Sequence, residues 1–186
     1  MTSDGSLATS HADWCGSDAA GLRFTGPDEA AGPECERILR SLPAWFGIEQ
    51  ALQDYVADAD RYATFFAVAT APVAFITARQ HGPQAWEVHC MAVHAACRGN
   101  GIGRRLHAHV EAWLQARGAL VLQVKTLASS HPSPDYAQTR GFYSRLGYLP
   151  LEVFPQLWGP HLPVLQLVKW LGGVPAAAAP GDRPGL

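Results

Sequence analysis

The sequence predicts a mixed α/β fold in which about seven strands form a mixed sheet with flanking helices. Strand-like runs and helical stripes follow the order strand, two helices, three strands, helix, strand, helix and two strands. Proline and glycine separate these apolar segments at the spacing of one domain, without an internal repeat. With 186 residues, 48% hydrophobic and 16% charged, the chain is long enough to bury one core.

The two ends of the chain are predicted to be flexible tails around a domain at residues 21–171. Residues 1–20 show little periodicity, and residues 172–186 are mostly Ala, Pro and Gly. The N-terminal segment lacks the basic and apolar blocks of a signal peptide, and no apolar window approaches a membrane span. We therefore expect a cytoplasmic protein that does not engage a membrane.

Charge and cysteine usage exclude two further classes of partner. Fourteen Lys and Arg against sixteen Asp and Glu give 14 − 16 = −2, so the chain lacks the basic excess typical of nucleic-acid binding. The sequence contains neither a C-x-x-C pair nor an H-E-x-x-H motif, so we expect no metal. The four cysteines are expected to be free, buried thiols.

The first part of the domain predicts a strand followed by two helices. GLRFTG is the candidate strand. A helical stripe then begins near Pro33 and is interrupted by Pro43 and Gly47, and a second helix begins near Ile48. In the link LPAWFG, Trp45 and Phe46 either line a substrate pocket or plug the space between the helix ends.

The rest of the domain predicts a meander, a crossover and two closing strands. TFFAVA, VAFITA and WEVHCMAV form the antiparallel meander, with the loop RQHGPQ before the third strand. The helix RRLHAHVEAWLQARG leads to the strand ALVLQVKT, which indicates a parallel connection. After the loop LASSHPSPD come a short helix, YAQTRGFYSRLG, and the strands YLPLEV and VLQLVKW.

The segment Arg98-Gly99-Asn100-Gly101-Ile102-Gly103 carries the clearest chemical signal, because it lies between a strand and an amphipathic helix. Its glycines allow a tight turn and a close approach to a ligand. The helix that follows offers unpaired N–H groups and the positive end of its dipole. This combination suits a diphosphate, although the segment lacks the lysine of a P-loop and the spacing of a dinucleotide motif.

This R-x-x-G-x-G segment resembles the coenzyme A signature of the GNAT N-acetyltransferase superfamily. M-A-V before it is similar to the family's splayed strand end, and G-F-Y-S-R-L-G-Y at 141–148 is similar to its F-Y-x-x-L-G-F segment. The order of elements from about Gly21 to Trp170 also matches the family. The resemblance implies the GNAT acyl-CoA N-acyltransferase fold.

The resemblance implies an acetyltransferase that moves the acetyl group of acetyl-CoA to a primary amine of a small molecule or protein. The alternative is a non-catalytic domain that binds coenzyme A for regulation. Main-chain groups at the strand end would contact the pantetheine arm, and the loop would hold the diphosphate. The implied cofactor residues are Met91, Ala92, Val93, Arg98, Gly99, Asn100, Gly101, Ile102, Gly103, Arg104 and Tyr136, the last standing where family members often carry asparagine.

Acyl transfer to an amine requires a base, stabilisation of the oxyanion and an acid for the leaving thiolate. Glu87 precedes Val93 at the spacing of the catalytic glutamate in the histone-lysine acetyltransferase branch, which implies a base. Strand alternation places His89 on the same face, where it either shares the proton relay or is a core histidine. Glu87 is alternatively a salt-bridged carboxylate. Tyr143 matches the family's acid, or it packs beside Phe142.

The acceptor is less constrained by the sequence. Lys125 and His131 lie where the family's fifth strand ends, on the active-site side, and together with Trp45 and Phe46 they are the candidate substrate residues. Four carboxylates of the second helix and its end either attract a cationic amine or form a solvated face: Glu49, Asp54, Asp58 and Asp60. Late strands in this superfamily sometimes pair across dimers, so a homodimer is compatible with the resemblance.

Overall fold

The computed structural model describes residues 21–172, so the predicted tail at 1–20 and nearly all of that at 172–186 lie outside the described residues. Seven strands hydrogen-bond in one sheet in the order β1-β2-β3-β4-β5-β7-β6. In chain order the elements are β1 (Arg23–Asp28), α1 (Gly32–Arg40), α2 (Glu49–Ala59), β2 (Ala63–Val68), β3 (Pro72–Gly82), β4 (Ala85–Val93), α3 (Ile102–Gln115), β5 (Val121–Leu127), α4 (Pro134–Arg145), β6 (Leu149–Phe154) and β7 (Val164–Trp170). The predicted mixed α/β class and order of elements are confirmed.

Within the described residues, the chain groups into two compact units. The first comprises residues 21–79 and 88–110. It contains the antiparallel pairs β1–β2 and β2–β3, with α1 and α2 packed together. The apolar stripe of α1 is buried in one core cluster with residues of α2, β2, β3 and β4, among them Cys35, Ile38, Leu39, Leu52, Phe66 and Phe75.

The second unit comprises residues 80–87 and 111–172. In it β7 pairs antiparallel with both β5 and β6 and therefore lies between them. The helix α4 begins at Pro134, where the Ser133 side chain accepts a hydrogen bond from the Tyr136 N–H at 3.4 Å. This start lies inside the predicted loop LASSHPSPD, because an N-cap serine followed by proline favours a helix's first turn.

Two expectations need correction. The predicted loop RQHGPQ is mostly strand, because β3 continues to Gly82. Cys35 and Cys90 are free and buried as expected, but Cys97 is disulfide-bonded, so that expectation was wrong there. Across residues 21–172, no helix has the length and apolar character needed to cross a membrane.

The first prediction concerns Gly26 in β1, whose φ is +113°. A Cβ built there would lie 2.6 Å from the Thr64 carbonyl oxygen and 2.8 Å from Phe65 Cα, both backbone atoms that cannot move aside cheaply. We expect Gly26→Ala to destabilise the protein by about 3 kcal/mol in urea unfolding. Gly82→Ala is the control, because a Cβ at position 82 would meet no atom within 4 Å, and it should change stability by less than about 0.5 kcal/mol.

Candidate active site

The loop between β4 and α3 owes its shape to two glycines. Gly99 and Gly101 have φ values of +84° and +72°, the left-handed region that residues with a side chain rarely adopt. A Cβ at either position would meet no atom within 4 Å, so backbone conformation rather than crowding requires glycine here. The loop is therefore a tight turn with open space beside its backbone.

The turn delivers the chain into α3 with its first amides available. The Arg105 N–H donates to the Gly101 carbonyl at 3.1 Å, which starts the helical hydrogen-bond pattern. The N–H groups of Ile102, Gly103 and Arg104 therefore have no acceptor within the helix. The helix dipole favours an anion at this end, and the exposed Arg104 side chain adds a positive charge. The residues present fit a diphosphate.

Arg98, just before this turn, is stacked on an aromatic ring. Its guanidinium carbon lies 4.1 Å from the centroid of the Trp45 ring. The Ala95 N–H, in the 3₁₀ turn Ala95–Cys97, donates to Ser41 Oγ at 3.1 Å. The structure thus brings Trp45, a predicted substrate residue, against Arg98, a predicted cofactor residue.

The end of β4 holds the residues predicted to meet the pantetheine arm. Met91 and Val93 are half-buried, whereas Ala92 is buried. Just beyond the strand, the His94 N–H donates to the Val73 carbonyl at 2.8 Å, which fixes the exit of the chain from the sheet. A pantetheine role for the three residues stays a prediction.

His89 belongs to a cluster of polar and aromatic groups in the first unit. Its Nε2 lies 2.9 Å from Asp58 Oδ2, and its ring meets those of Tyr55 and Tyr62 edge-on at 5.5 and 5.4 Å. Phe46 extends the cluster, with its ring 5.9 Å from that of Tyr55. A carboxylate on one ring nitrogen orients an imidazole for proton transfer at the other.

Glu87 belongs to a different cluster, which lies in the second unit. Its Oε1 is 2.6 Å from Lys125 Nζ and its Oε2 is 2.6 Å from His81 Nε2, while only 4% of the residue is exposed. Burial by itself raises the pKa of this carboxyl, but the hydrogen bonds from Lys125 and His81 outweigh burial and hold the pKa below its usual value. Glu87 is therefore a stably ionised carboxylate.

Glu87 and His89, which strand alternation places on one face of β4, contact different side chains. The hydrogen-bond partners of Glu87 and His89 do not overlap. The salt-bridged alternative for Glu87 matches its contacts, and Lys125, a predicted substrate residue, is its partner. A carboxylate held ionised by two partners has low proton affinity, which weakens its case as a base.

Tyr143 lies on α4 and is 6% exposed. Its ring packs edge-on against Phe142 and Tyr148, each with centroids 5.3 Å away. Burial, together with nearby Tyr143 and Glu111, raises the pKa of the Tyr148 phenol. The packing alternative is thus present around Tyr143, and its role as an acid stays a prediction.

Two further predicted residues, Tyr136 and His131, lie in the first turn of α4 and just before it. Tyr136 is half-buried in the first turn of α4. The His131 N–H donates to the Ala128 carbonyl at 3.1 Å, whereas its buried Nδ1 has no hydrogen-bond partner in the described part of the chain. These observations assign no function to Tyr136 or His131, so the cofactor role of Tyr136 and the substrate role of His131 stay predictions.

The carboxylates of α2 already have partners. Asp54 accepts from Gln50 Nε2 at 2.9 Å, and Asp60 accepts from the Gly32 N–H at 2.8 Å. Glu49 accepts from Arg40 at 2.7 Å. With Asp58 on His89, each of the four has an internal partner, which leaves little support for a patch that attracts a cationic amine.

Sequence reasoning missed Tyr55, Tyr62 and His81 as members of these clusters. Tyr55 belongs to the predicted apolar stripe of α2, and Tyr62 follows that helix. His81 falls in the predicted loop RQHGPQ, whereas β3 carries it. The run Arg-Gln-His-Gly after Ala78 shows no apolar alternation, so the sequence carries no signal for this part of β3.

The fold and the left-handed glycine loop before α3 define an α/β protein in which a strand, β4, is followed by a tight turn and a helix start that suit an anion. Among the described residues, no group of three or more His, Cys, Asp or Glu side chains could hold a metal ion.

Comparison with known proteins identifies the family. The model of the acetyltransferase (GNAT) family matches residues 33–148. This chain therefore belongs to the GNAT acetyltransferase family, and the resemblance noted from its motifs is confirmed. A search of curated proteins finds no match.

Solved structures share the fold. An aminoglycoside 6'-N-acetyltransferase complexed with coenzyme A matches with a TM-score of 0.65 and 22% identity over 82% of this chain and 99% of that one. The aminoglycoside 6'-N-acetyltransferase from Enterococcus faecium gives 0.64 and 23% over 82% and 99%. The ribosomal-protein-S18-alanine N-acetyltransferase from Escherichia coli gives 0.66 and 16% over 85% and 99%. At these identities the likeness establishes the fold alone.

The second prediction concerns the stability contributed by Glu87. Because its folded-state pKa is lowered, its stabilising effect is complete above the ordinary carboxyl value of 4.5 and is lost as the pH falls through the folded-state value. We expect Glu87→Gln to lower the free energy of unfolding by about 3 kcal/mol at pH 7, since Lys125 loses its charged partner. The difference from wild type should shrink as the pH approaches 3.

Urea unfolding between pH 7 and pH 3 measures this difference. Glu152→Gln, at an exposed position of β6, is the control and should behave as wild type throughout. A Glu87→Gln deficit that is the same at every pH would contradict the assigned charge pairing.

Proposed function

We propose that this protein is an N-acetyltransferase that transfers the acetyl group of acetyl-CoA directly to a primary amine. The observation that carries the proposal is the left-handed turn at Gly99 and Gly101, which opens α3 with unpaired amides. Membership of the GNAT family supports the activity. The structural neighbours include one complexed with coenzyme A, and others named for aminoglycoside and ribosomal-protein alanine acceptors.

The proposed cofactor site uses main-chain donors and two cations. The amides of Ile102, Gly103 and Arg104 would hold the diphosphate of acetyl-CoA, with Arg98 and Arg104 supplying positive charge. The bound thioester supplies the activated acetyl group. The strand end at Met91 to Val93 would contact the pantetheine arm through main-chain groups.

We propose His89, oriented by Asp58, as the base that removes a proton from the acceptor amine. Asp58 on Nε2 favours the tautomer whose Nδ1 carries the lone pair, and it stabilises the imidazolium that forms. Among the described residues, Nδ1 has no hydrogen-bond partner. This choice favours His89 over Glu87, whose carboxylate is occupied by Lys125 and His81.

Tyr143 remains the proposed acid for the departing thiolate, on the strength of its position in the family segment at 141–148. A phenol of ordinary pKa near 10 donates to a thiolate only where geometry assists the transfer. Replacement by phenylalanine keeps the edge-on packing with Phe142 and Tyr148 and removes only the hydroxyl.

The third prediction tests the glycine turn. Gly101→Ala places a side chain at φ +72°, and Gly118→Ala does the same at φ +78° beyond the end of α3, again with open space around the Cβ. Both should cost stability, by about 1–2 kcal/mol. Only Gly101→Ala should weaken the binding of coenzyme A in isothermal titration. We expect a loss of roughly tenfold or more, which is the size of one hydrogen bond between a main-chain amide and the charged diphosphate.

The outcome separates a ligand site from a structural turn. Equal affinity in both variants would remove the glycine turn from the proposed site. A wild-type protein that does not bind coenzyme A would overturn the proposed function.

The fourth prediction tests the base. The protein is incubated with acetyl-CoA and, in turn, with aminoglycosides, polyamines and peptides bearing an N-terminal alanine. Release of the free thiol of coenzyme A is followed. With the acceptor that responds, Asp58→Asn should lower kcat roughly 100-fold or more, because an amide at Nε2 favours the wrong tautomer. Asp54→Asn, one turn earlier on α2, is the matched control and should retain activity.

A coenzyme A-binding protein with no turnover for any acceptor would favour the regulatory alternative. A protein that loses turnover with Glu87→Gln at unchanged stability, while Asp58→Asn stays active, would return the base to Glu87.

A further inference from the structure

The link between α1 and α2 contacts the cofactor loop at two points. Ser41 Oγ accepts from the Ala95 N–H at 3.1 Å, and the Trp45 ring lies under the Arg98 guanidinium at 4.1 Å. The first contact ties the end of α1 to the 3₁₀ turn, and the second ties the link to the residue just before Gly99. Both contacts lie within the first unit.

The Arg98 side chain is exposed yet ordered by its ring contact. At 4.1 Å the guanidinium carbon is at stacking distance from the ring, and a guanidinium stacked on a ring directs its N–H donors outward in its plane. Among the described residues, these N–H groups have no hydrogen-bond or ion-pair partner. The planar fork therefore remains available to the oxygens of an anion while the ring holds the group in place.

The ring that supports Arg98 is itself anchored. The N–H groups of Trp45 and Phe46 both donate to the Leu42 carbonyl at 3.1 Å, which closes the link onto the end of α1. Leu42 is 6% exposed and belongs to the core cluster, and Trp45 and Phe46 pack against that cluster. The indole is thus a fixed platform rather than a freely rotating surface side chain.

We propose that Trp45 is a positioning residue for the cofactor, which holds the Arg98 guanidinium over its ring so that the fork meets the diphosphate of acetyl-CoA. This inference rests on the proposed function, because it assigns a ligand to Arg98. It replaces the predicted substrate role of Trp45 with a role in cofactor affinity. A long arginine side chain loses much rotamer freedom when it binds an anion, and the stacking removes part of that cost beforehand.

The test measures the affinity for coenzyme A, and for pantetheine, which lacks the diphosphate, by isothermal titration. Trp45→Leu keeps an apolar side chain but removes the ring face, so it should bind coenzyme A roughly two- to fivefold more weakly. Trp45→Phe should recover most of this loss. Pantetheine affinity should be unchanged in both. Trp158→Leu, a half-exposed tryptophan of the second unit, is the control.

Combination with Arg98→Ala isolates the mechanism. If Trp45 acts through Arg98, the double variant Trp45→Leu with Arg98→Ala should bind coenzyme A no more weakly than Arg98→Ala alone. Additive losses would overturn the inference, as would equal losses for pantetheine or a Trp45→Phe variant as weak as Trp45→Leu. Thermal unfolding without ligand confirms that each variant is folded.

Failure of the inference differs from failure of the proposed function. Wild-type binding of coenzyme A together with unimpaired binding by Trp45→Leu removes the role of Trp45 alone. Absence of wild-type binding overturns the proposed function, and the positioning role with it.

Discussion

The left-handed turn between β4 and α3 is the constraint on which the candidate site depends. Positive φ at Gly99 and Gly101 turns the chain from a strand into a helix within a few residues. The first amides of α3 lack acceptors, as at the start of any helix, and the turn joins them directly to Arg98, which lies over Trp45. A different backbone path would bring neither the donors nor the guanidinium to this loop. The chemistry of the loop is therefore mainly a property of its main chain.

The order of elements and the glycine loop could be predicted from the sequence because both are local. Strand and helix patterns extend over neighbouring residues, and glycines mark the positions where a left-handed turn can form. The position of β7 between β5 and β6 is not local, because it depends on β7 pairing with β5, which precedes α4 and β6 in the chain. The end of β3 at Gly82 and the start of α4 at Pro134 differ from the predicted boundaries for a related reason. In both places polar residues that resemble a loop belong to a regular element.

The side-chain partners of the site could not be predicted, because they are distant in sequence. Asp58 is 31 residues from His89, and Lys125 is 38 residues from Glu87. The sequence named Glu87, His89 and Lys125 as candidates without pairing them. Asp58 was predicted only as one of the carboxylates of the second helix, which either attract a cationic amine or face solvent. The pattern of β4 thus identified Glu87 and His89 as titratable candidates, but tertiary contacts decide what each can do.

Glu87 and His89 differ in the charge of the side chains that contact them. Cationic partners stabilise the carboxylate of Glu87 and so reduce its tendency to take up a proton. The carboxylate of Asp58 instead orients the imidazole of His89, because it occupies Nε2 and leaves the lone pair on Nδ1. Two titratable residues on one strand therefore differ in chemical role through the sign of their partners. The same reasoning assigns Glu87 to the stability of its unit and His89 to the proposed proton transfer.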